Sequence, residues 1–266
     1  MRKLILSISV LSLLQISVFA QDNNPGDISP DRPDQTESPD IIPPGFTQIE
    51  GGFTYESYNE NYGNYLTFSY NSYSFAGLIR VGIFPSMEIR VAPEYLSSKN
   101  TAGFFNPYFN YDIEASGFLP LVIGTKIKIT DETKDIPGMA FLFQADLPST
   151  AGDDFETDET TPEFRIAASK QISDRFSLGF NIGAQFYSRE TIGIYTLSLG
   201  ADLTEKMGGF IELYGFFGNG TINYADGGVT YRIMKNLQFD LSGGLGLSEG
   251  TPDFFIGGGL SVRLPR

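Results

Sequence analysis

The fold is decided by residues 237–264, LQFDLSGGLGLSEGTPDFFIGGGLSVRL. Apolar residues share one parity on either side of the turn at 248–252: Leu237, Phe239, Leu241, Leu245 and Leu247, then Phe254, Ile256, Leu260, Val262 and Leu264. Successive side chains of a β-strand point to opposite faces, so each half has one apolar and one polar face. A soluble β-sandwich shows the same alternation, and periodicity alone leaves both folds open.

The organisation of the whole chain favours a membrane barrel. Segments of about 10 alternating residues, joined by alternating short and long connections in a secreted chain, are typical of transmembrane β-barrels. About 12 such segments follow Phe46, with tight connections at 84–86, 173–174 and 235–236. The longest outer loops are expected at 58–71, 96–117 and 148–160. We therefore predict an all-β fold, a closed antiparallel transmembrane β-barrel of about 12 strands with a Pro-rich N-terminal leader.

The first 20 residues have the pattern of a cleaved signal peptide. Arg2 and Lys3 precede an apolar run at 4–14, and small residues end the segment at Ala20. No later stretch has the roughly 20 apolar residues of a spanning helix. We predict a signal peptide at 1–20, an acidic leader at 21–45 and an outer-membrane barrel at 46–266, placing the protein in the cell outer membrane of a Gram-negative bacterium.

The leader at 21–45 is rich in proline and carries no strand pattern. Because prolines lower the entropy lost on ordering, we expect it to fold into the periplasmic mouth as a plug. The plug candidates are Asp31, Arg32, Asp34 and Glu37. Arg32 is expected to pair with a barrel carboxylate such as Glu50 or Glu88. The alternative is a disordered periplasmic linker.

Charged residues of both signs share the polar parity of the strands, which faces the lumen in a membrane barrel. The lumen-lining candidates are Glu50, Arg80, Glu88, Arg90, Glu94, Lys126, Lys128, Asp146, Glu163, Arg165, Asp202, Glu212, Arg232, Asp240 and Arg263. Two interpretations remain open: ion pairs that support the wall, or a path that selects a solute. Tyrosines near the outer ends of the strands fit either an aromatic girdle or a binding surface: Tyr58, Tyr62, Tyr65, Tyr95, Tyr108, Tyr187 and Tyr195.

Composition excludes several kinds of chemistry. The chain has no His and no Cys, which removes the Ser–His and Cys–His nucleophile systems and most transition-metal sites. The formal net charge of -14 argues against nucleic acid as a partner. We expect no catalytic residues, no cofactor and no metal, and thus no enzyme.

Two stretches carry a family resemblance. The motif at 31–39, DRPDQTESP, with PGFTQIE at 44–50, resembles the opening of the outer-membrane transporter-like barrels of the putative MetA pathway of phenol degradation. The strand LPLVIGTKIK at 119–128 and the segment at 141–148 are similar to the same family. The resemblance covers nearly the whole mature chain. It implies an outer-membrane barrel that passes small aromatic or hydrophobic compounds, and it brings no catalytic residues.

We therefore expect a porin-like transporter for passive uptake or efflux of a small aromatic or hydrophobic solute. Its other expected partners are outer-membrane lipid and the barrel-assembly machinery. One rival is a closed structural barrel that binds a partner through its Tyr/Asn-rich external loops. A second rival is a soluble periplasmic β-sandwich that binds a ligand.

Overall fold

A computed structural model describes residues 25–62, 66–104 and 110–266. The predicted signal peptide lies outside the described residues, as do Tyr65 and Tyr108. Among the described residues, no helix is long and apolar enough to cross a membrane.

Twelve antiparallel strands form one closed sheet. They are β1 (Phe46–Tyr62), β2 (Leu66–Phe84), β3 (Met87–Ala92 and Glu94–Phe104), β4 (Asn110–Phe118 and Leu121–Thr130), β5 (Gly138–Leu147), β6 (Pro162–Gln171), β7 (Phe176–Phe186), β8 (Thr191–Asp202), β9 (Met207–Phe217), β10 (Thr221–Met234), β11 (Leu237–Gly246) and β12 (Phe254–Pro265). Each strand pairs with its neighbours in sequence, and β1 pairs with both β2 and β12. The closing register runs from Phe46 opposite Pro265 to Ser57 opposite Phe254. The predicted closed barrel of about 12 strands is confirmed.

The barrel is apolar outside and polar inside. Phe75 on β2 is 57% exposed and Ile211 on β9 is 64% exposed, whereas Arg80 and Lys126 are 0% exposed. A water-soluble domain has the opposite distribution, because burial of charged groups is costly and burial of apolar groups is favourable. An outer surface of this kind is stable where lipid covers it. The soluble sandwich is therefore excluded.

Two of the predicted outer loops are wrong. The structure continues β1 to Tyr62 and begins β2 at Leu66 inside the predicted loop 58–71. Likewise β3 extends to Phe104 and β4 begins at Asn110 inside the predicted loop 96–117. Apolar and polar residues alternate only where one face of a strand meets lipid and the other meets the lumen. The strand ends that project beyond the membrane have water on both sides, so their sequence does not alternate. Tyrosine and threonine still favour extended backbone there, so the ladder continues without the pattern.

The wall is interrupted at Pro93 in β3 and Pro120 in β4. Proline has no N–H to donate to a ladder, which breaks each strand into two segments. The acidic connection at 148–161 covers the break in β4, with short 3-10 turns at Pro148–Thr150 and Asp153–Phe155. Its Gly152 N–H donates to the Phe118 carbonyl at 2.8 Å. The backbone groups that the sheet leaves unpaired at Phe118 thus gain partners from this loop.

Candidate functional site

The leader contacts inward-facing side chains on many sides of the barrel. It starts near the periplasmic turns, where the Ile28 N–H donates to the Lys235 carbonyl at 2.7 Å. It returns to the same end at Ile42, whose N–H donates to Glu88 Oε2 at 2.8 Å. Between these points it contacts β1 to β4, β6 to β9 and β11. A segment of about 20 residues that reaches so many strands crosses the lumen.

The centre of this arrangement is the carboxylate of Asp31. Its Oδ2 atom lies 3.0 Å from Arg80 Nη1, 2.6 Å from Arg90 Nη1 and 2.7 Å from Lys126 Nζ. These cations come from β2, β3 and β4, whose inward positions are adjacent in the sheet. The Asp31 N–H also donates to Glu50 Oε2 at 2.9 Å. One leader carboxylate therefore bridges three buried cations.

Glu37 provides the second acidic group of the leader. Its Oε1 accepts from Arg90 Nη2 at 2.6 Å, and its Oε2 lies 2.9 Å from Lys126 Nζ. Wall carboxylates complete the cluster, since Arg80 donates to Glu88 through both Nε and Nη2 at 2.8 and 3.1 Å. We define the ion cluster as Asp31, Glu37, Glu50, Arg80, Glu88, Arg90 and Lys126. It holds three cations and four carboxylates, so each cation has at least two anionic partners.

Arg32 takes a different partner from those expected. Its Nη2 atom lies 3.2 Å from Asp240 Oδ1, while only its backbone N–H reaches Glu50. The guanidinium lies against Gly52 on β1 and Gly259 on β12, which face each other in the ladder. A Cβ at either position would overlap the guanidinium, so this pair of glycines makes room for Arg32. Arg32 therefore pairs with a barrel carboxylate as expected, but the two partners named for it, Glu50 and Glu88, are wrong because this opening directs the side chain toward β11.

The tip of the leader meets the far wall. The Gln35 N–H donates to Glu212 Oε2 at 2.7 Å, and the Thr36 hydroxyl bonds to Glu212 and to Thr196 Oγ1, the latter at 2.7 Å. The Glu37 N–H donates to Asn181 Oδ1 at 2.8 Å. These polar side chains of β7, β8 and β9 give the exposed backbone of the leader the partners that an irregular segment needs inside a barrel.

Two of the leader aspartates, Asp31 and Asp34, ionise differently. Burial opposes ionisation of Asp31, but the nearby Arg80, Lys126 and Arg90 outweigh it and hold the pKa of its carboxyl well below the usual range. Burial raises the pKa of Asp34, and the negative charge of Glu212 raises it further. Asp31 is therefore the charged anchor of the leader, whereas Asp34, which accepts from Ser198 Oγ at 3.3 Å, lies where ionisation is opposed.

A cavity of about 500 Å³ lies beyond the leader, on the outer side of the barrel. Its aromatic wall consists of Tyr58, Tyr70, Tyr214, Phe216 and Tyr224, and its other lining residues are Gln35, Glu56, Asn100, Gly250 and Pro252. The leader contributes Gln35, which separates the cavity from the ion cluster. The leader thus contacts the wall in the periplasmic half of the barrel, and the aromatic chamber lies on its outer side.

The other lumen candidates form smaller contacts. Glu163 and Arg165 pair on β6 at 2.8 Å, Arg232 lies 2.6 Å from Asp27, and Arg263 Nη2 donates to the Gly26 carbonyl at 2.6 Å. Glu94 is half-buried, and Asp146 accepts from the Thr161 hydroxyl. Two further lumen candidates lie at the periplasmic rim of the barrel. Lys128 pairs with Asp131 of a periplasmic turn, and Asp202 is exposed at the last residue of its strand, because both lie where the ladder ends.

Sequence reasoning missed most residues of the cavity. Tyr58 was expected at the outer strand ends, in a girdle or a binding surface, but it lines the lumen. The alternation of the strands already indicated that these tyrosines face the lumen, since Tyr214 lies two residues from Glu212 and Tyr224 lies two residues from Asp226. Uncharged inward residues such as Thr196 and Asn181 had no such signal, because their role depends on where the leader passes.

The comparisons with known proteins agree with this fold. Residues 30–264 match the family described as "Putative MetA-pathway of phenol degradation". A comparison with curated proteins gives no match.

Among solved structures, the chain is similar to the COG4313 outer membrane channel from Pseudomonas putida F1, with 10% identity, a TM-score of 0.66, and coverage of 90% of this chain and 100% of that one. It is also similar to the transport unit of the autotransporter AIDA-I from Escherichia coli, with 10% identity, a TM-score of 0.53, and coverage of 98% and 97%. The translocator domain of the autotransporter NalP from Neisseria meningitidis gives 10% identity, a TM-score of 0.52, and coverage of 82% and 88%. All three share the barrel fold.

Proposed function

The chain belongs to the family described as the putative MetA pathway of phenol degradation, and on that premise we propose that it is an outer-membrane channel for small aromatic or hydrophobic solutes. The observation that carries the proposal is the aromatic chamber above the leader. Ligand sites combine apolar and aromatic walls with a few polar groups that fix orientation, and this chamber has both. In this proposal the lumen candidates line the path of the solute, and the plug candidates belong to the leader that blocks it.

The outward face supports a place in the outer membrane. Lipid would cover the apolar residues of the strands, and the barrel-assembly machinery would insert them after export. The similarity to an outer membrane channel agrees with this placement. No chemical step is assigned to the barrel, so its action is passive: a solute enters the aromatic chamber, and movement of the leader opens the way past the ion cluster.

Replacement of Tyr224 tests the chamber. Its ring stacks on Tyr214 with centroids 4.9 Å apart and an angle of 7° between the planes. We expect Tyr224→Ala to raise the phenol concentration at half-maximal uptake about two- to tenfold, because an aromatic pair contributes roughly 0.5–1.5 kcal/mol. Uptake of labelled phenol is measured in Gram-negative cells that express the full chain.

Tyr231→Ala is the matched control, since Tyr231 is on the same strand but exposed on the outer face. It should leave the half-saturating concentration unchanged. Equal behaviour of the two variants, or uptake no faster than in cells without the protein, would contradict the proposed channel.

A further inference from the structure

The aromatic chamber has a specific ring geometry. Tyr214 and Tyr224 stack face to face, and Phe216 meets Tyr224 edge-on at 6.4 Å with an angle of 85°. Tyr58 and Tyr70 complete the wall from β1 and β2. The faces of aromatic rings carry partial negative charge, so several rings around one cavity attract an organic cation.

The charge of the chamber has one sign. Of the described residues that line it, Glu56 is the only charged one. The Ser72 hydroxyl bonds to the Glu56 carboxylate, and the half-buried Glu94 lies near enough to repel it electrostatically. An anionic carboxylate inside an aromatic wall is unfavourable when a neutral hydrocarbon is the only neighbour, because its charge then has no partner.

The cations of the lumen lie elsewhere. Arg80, Arg90 and Lys126 are in the periplasmic half, where leader and wall carboxylates surround them. Toward the outer side Arg165 pairs with Glu163 at 2.8 Å and donates to the carbonyl of the lining residue Gln35 at 3.4 Å, so its charge is compensated by Glu163. The three cations of the ion cluster are thus bound by carboxylates at the periplasmic level, and the uncompensated charge beside the rings is that of Glu56, which attracts cations toward them.

We propose that the chamber binds small organic cations with an aromatic or apolar body, such as aromatic amines and quaternary ammonium compounds. Glu56 neutralises the charged head, and Tyr214, Phe216 and Tyr224 hold the body. The proposal names the solute class of the channel and so rests on the function proposed above, but binding can be measured without any passage of solute.

The test uses a pair of probes that differ in charge and hardly at all in shape. Benzyltrimethylammonium and neopentylbenzene have the same heavy-atom skeleton, with nitrogen in place of carbon, and phenylacetate supplies an anion. Binding to the full chain in detergent is measured by calorimetry and by competition, after subtraction of binding to empty micelles. We expect the cation to bind about tenfold more tightly than the neutral probe, and phenylacetate to bind least.

Glu56→Gln should weaken binding of the cation about tenfold and leave the affinity for neopentylbenzene unchanged. Glu114→Gln is the matched control, since it removes the same charge from an exposed position on β4 beside Lys99 and should change neither. Equal affinity for the two probes, a preference for phenylacetate, no binding of the cation, or an unaltered affinity in Glu56→Gln would each overturn the proposal. Bilayer recordings on the same preparations show separately whether the barrel conducts, so failure of the channel and failure of the cation preference are distinguishable.

Discussion

A barrel that begins at Gly45 is expected to conduct in steps several-fold larger than the barrel that begins at Gln21. The leader crosses the lumen between Ile28 and Ile42, and its removal leaves the periplasmic half without the segment that fills it. Single-channel recording in planar bilayers measures the steps of both forms. A difference in gel migration between heated and unheated samples first shows that each barrel is folded.

The same truncation should also change ion selectivity. Without Asp31 and Glu37, the ion cluster keeps Arg80, Arg90 and Lys126 against only two wall carboxylates, Glu50 and Glu88. This level of the pore gains net positive charge, which makes the passage of anions more favourable than in the full chain. The reversal potential in a salt gradient should therefore shift toward the anion value. A full-length chain with the order of residues 27–42 scrambled controls for length and composition. Steps of equal size in both forms would contradict a plug, and silence from both folded barrels would favour a closed barrel over a channel.

Asp31→Asn is expected to release the leader from an otherwise intact barrel. The substitution removes the carboxylate shared by Arg80, Arg90 and Lys126, and loss of one partner from a buried ion pair costs about 3 kcal/mol. The open population of the leader should then rise about 100-fold. The rate at which a glutamate-specific protease cuts after Glu37 measures that population, provided that closing is faster than cleavage.

The release should depend on pH. Since the pKa of Asp31 is lowered in the folded chain, its stabilisation is fully present above the ordinary aspartate value of about 3.9 and is lost as the pH falls through the lower folded value. The wild-type leader should therefore resist an acid-active protease at pH 5 and lose that resistance only in stronger acid, whereas Asp31→Asn lacks this dependence. Asp40→Asn is the control, because Asp40 is exposed and its side chain accepts from the Ser29 hydroxyl of the leader rather than from the wall. Identical cleavage rates in the two variants would count against Asp31 as the anchor.

The barrel was predictable from the sequence because lipid and lumen impose opposite demands on successive residues. Leu237, Phe239 and Leu241 alternate with polar neighbours for that reason. The same alternation identifies Glu50, Arg80 and Glu88 as inward-facing and their apolar neighbours as outward-facing. At the outer ends of β1 and β2 both faces meet water, so the sequence does not alternate there. For that reason these strand ends were predicted as a loop. Lys128 and Asp202 follow the parity but lie where the ladder stops.

The contacts of the leader could not be predicted in detail. Among the plug candidates, the sequence analysis named wall partners for Arg32 alone, but Asp31 makes the larger set of contacts. Parity gives the face of each residue, not its height in the barrel, so nothing in the sequence shows that Arg80, Arg90 and Lys126 lie at one level. The opening at Gly52 and Gly259 is also a product of the β1–β12 register, which joins residues more than 200 positions apart.

The position of the leader can be tested most directly by a cysteine pair, because the natural chain has no cysteine. The hydroxyls of Thr36 and Thr196 are 2.7 Å apart, a separation compatible with a disulfide between Thr36→Cys and Thr196→Cys. With the leader in the lumen, oxidation of cells carrying this pair should link leader to barrel and hold conductance at small steps until a reductant is added. Thr36→Cys with Thr204→Cys, whose second site is an exposed periplasmic turn, should stay reduced. Free thiols in the first pair after oxidation, in a folded barrel, would contradict a leader that occupies the lumen.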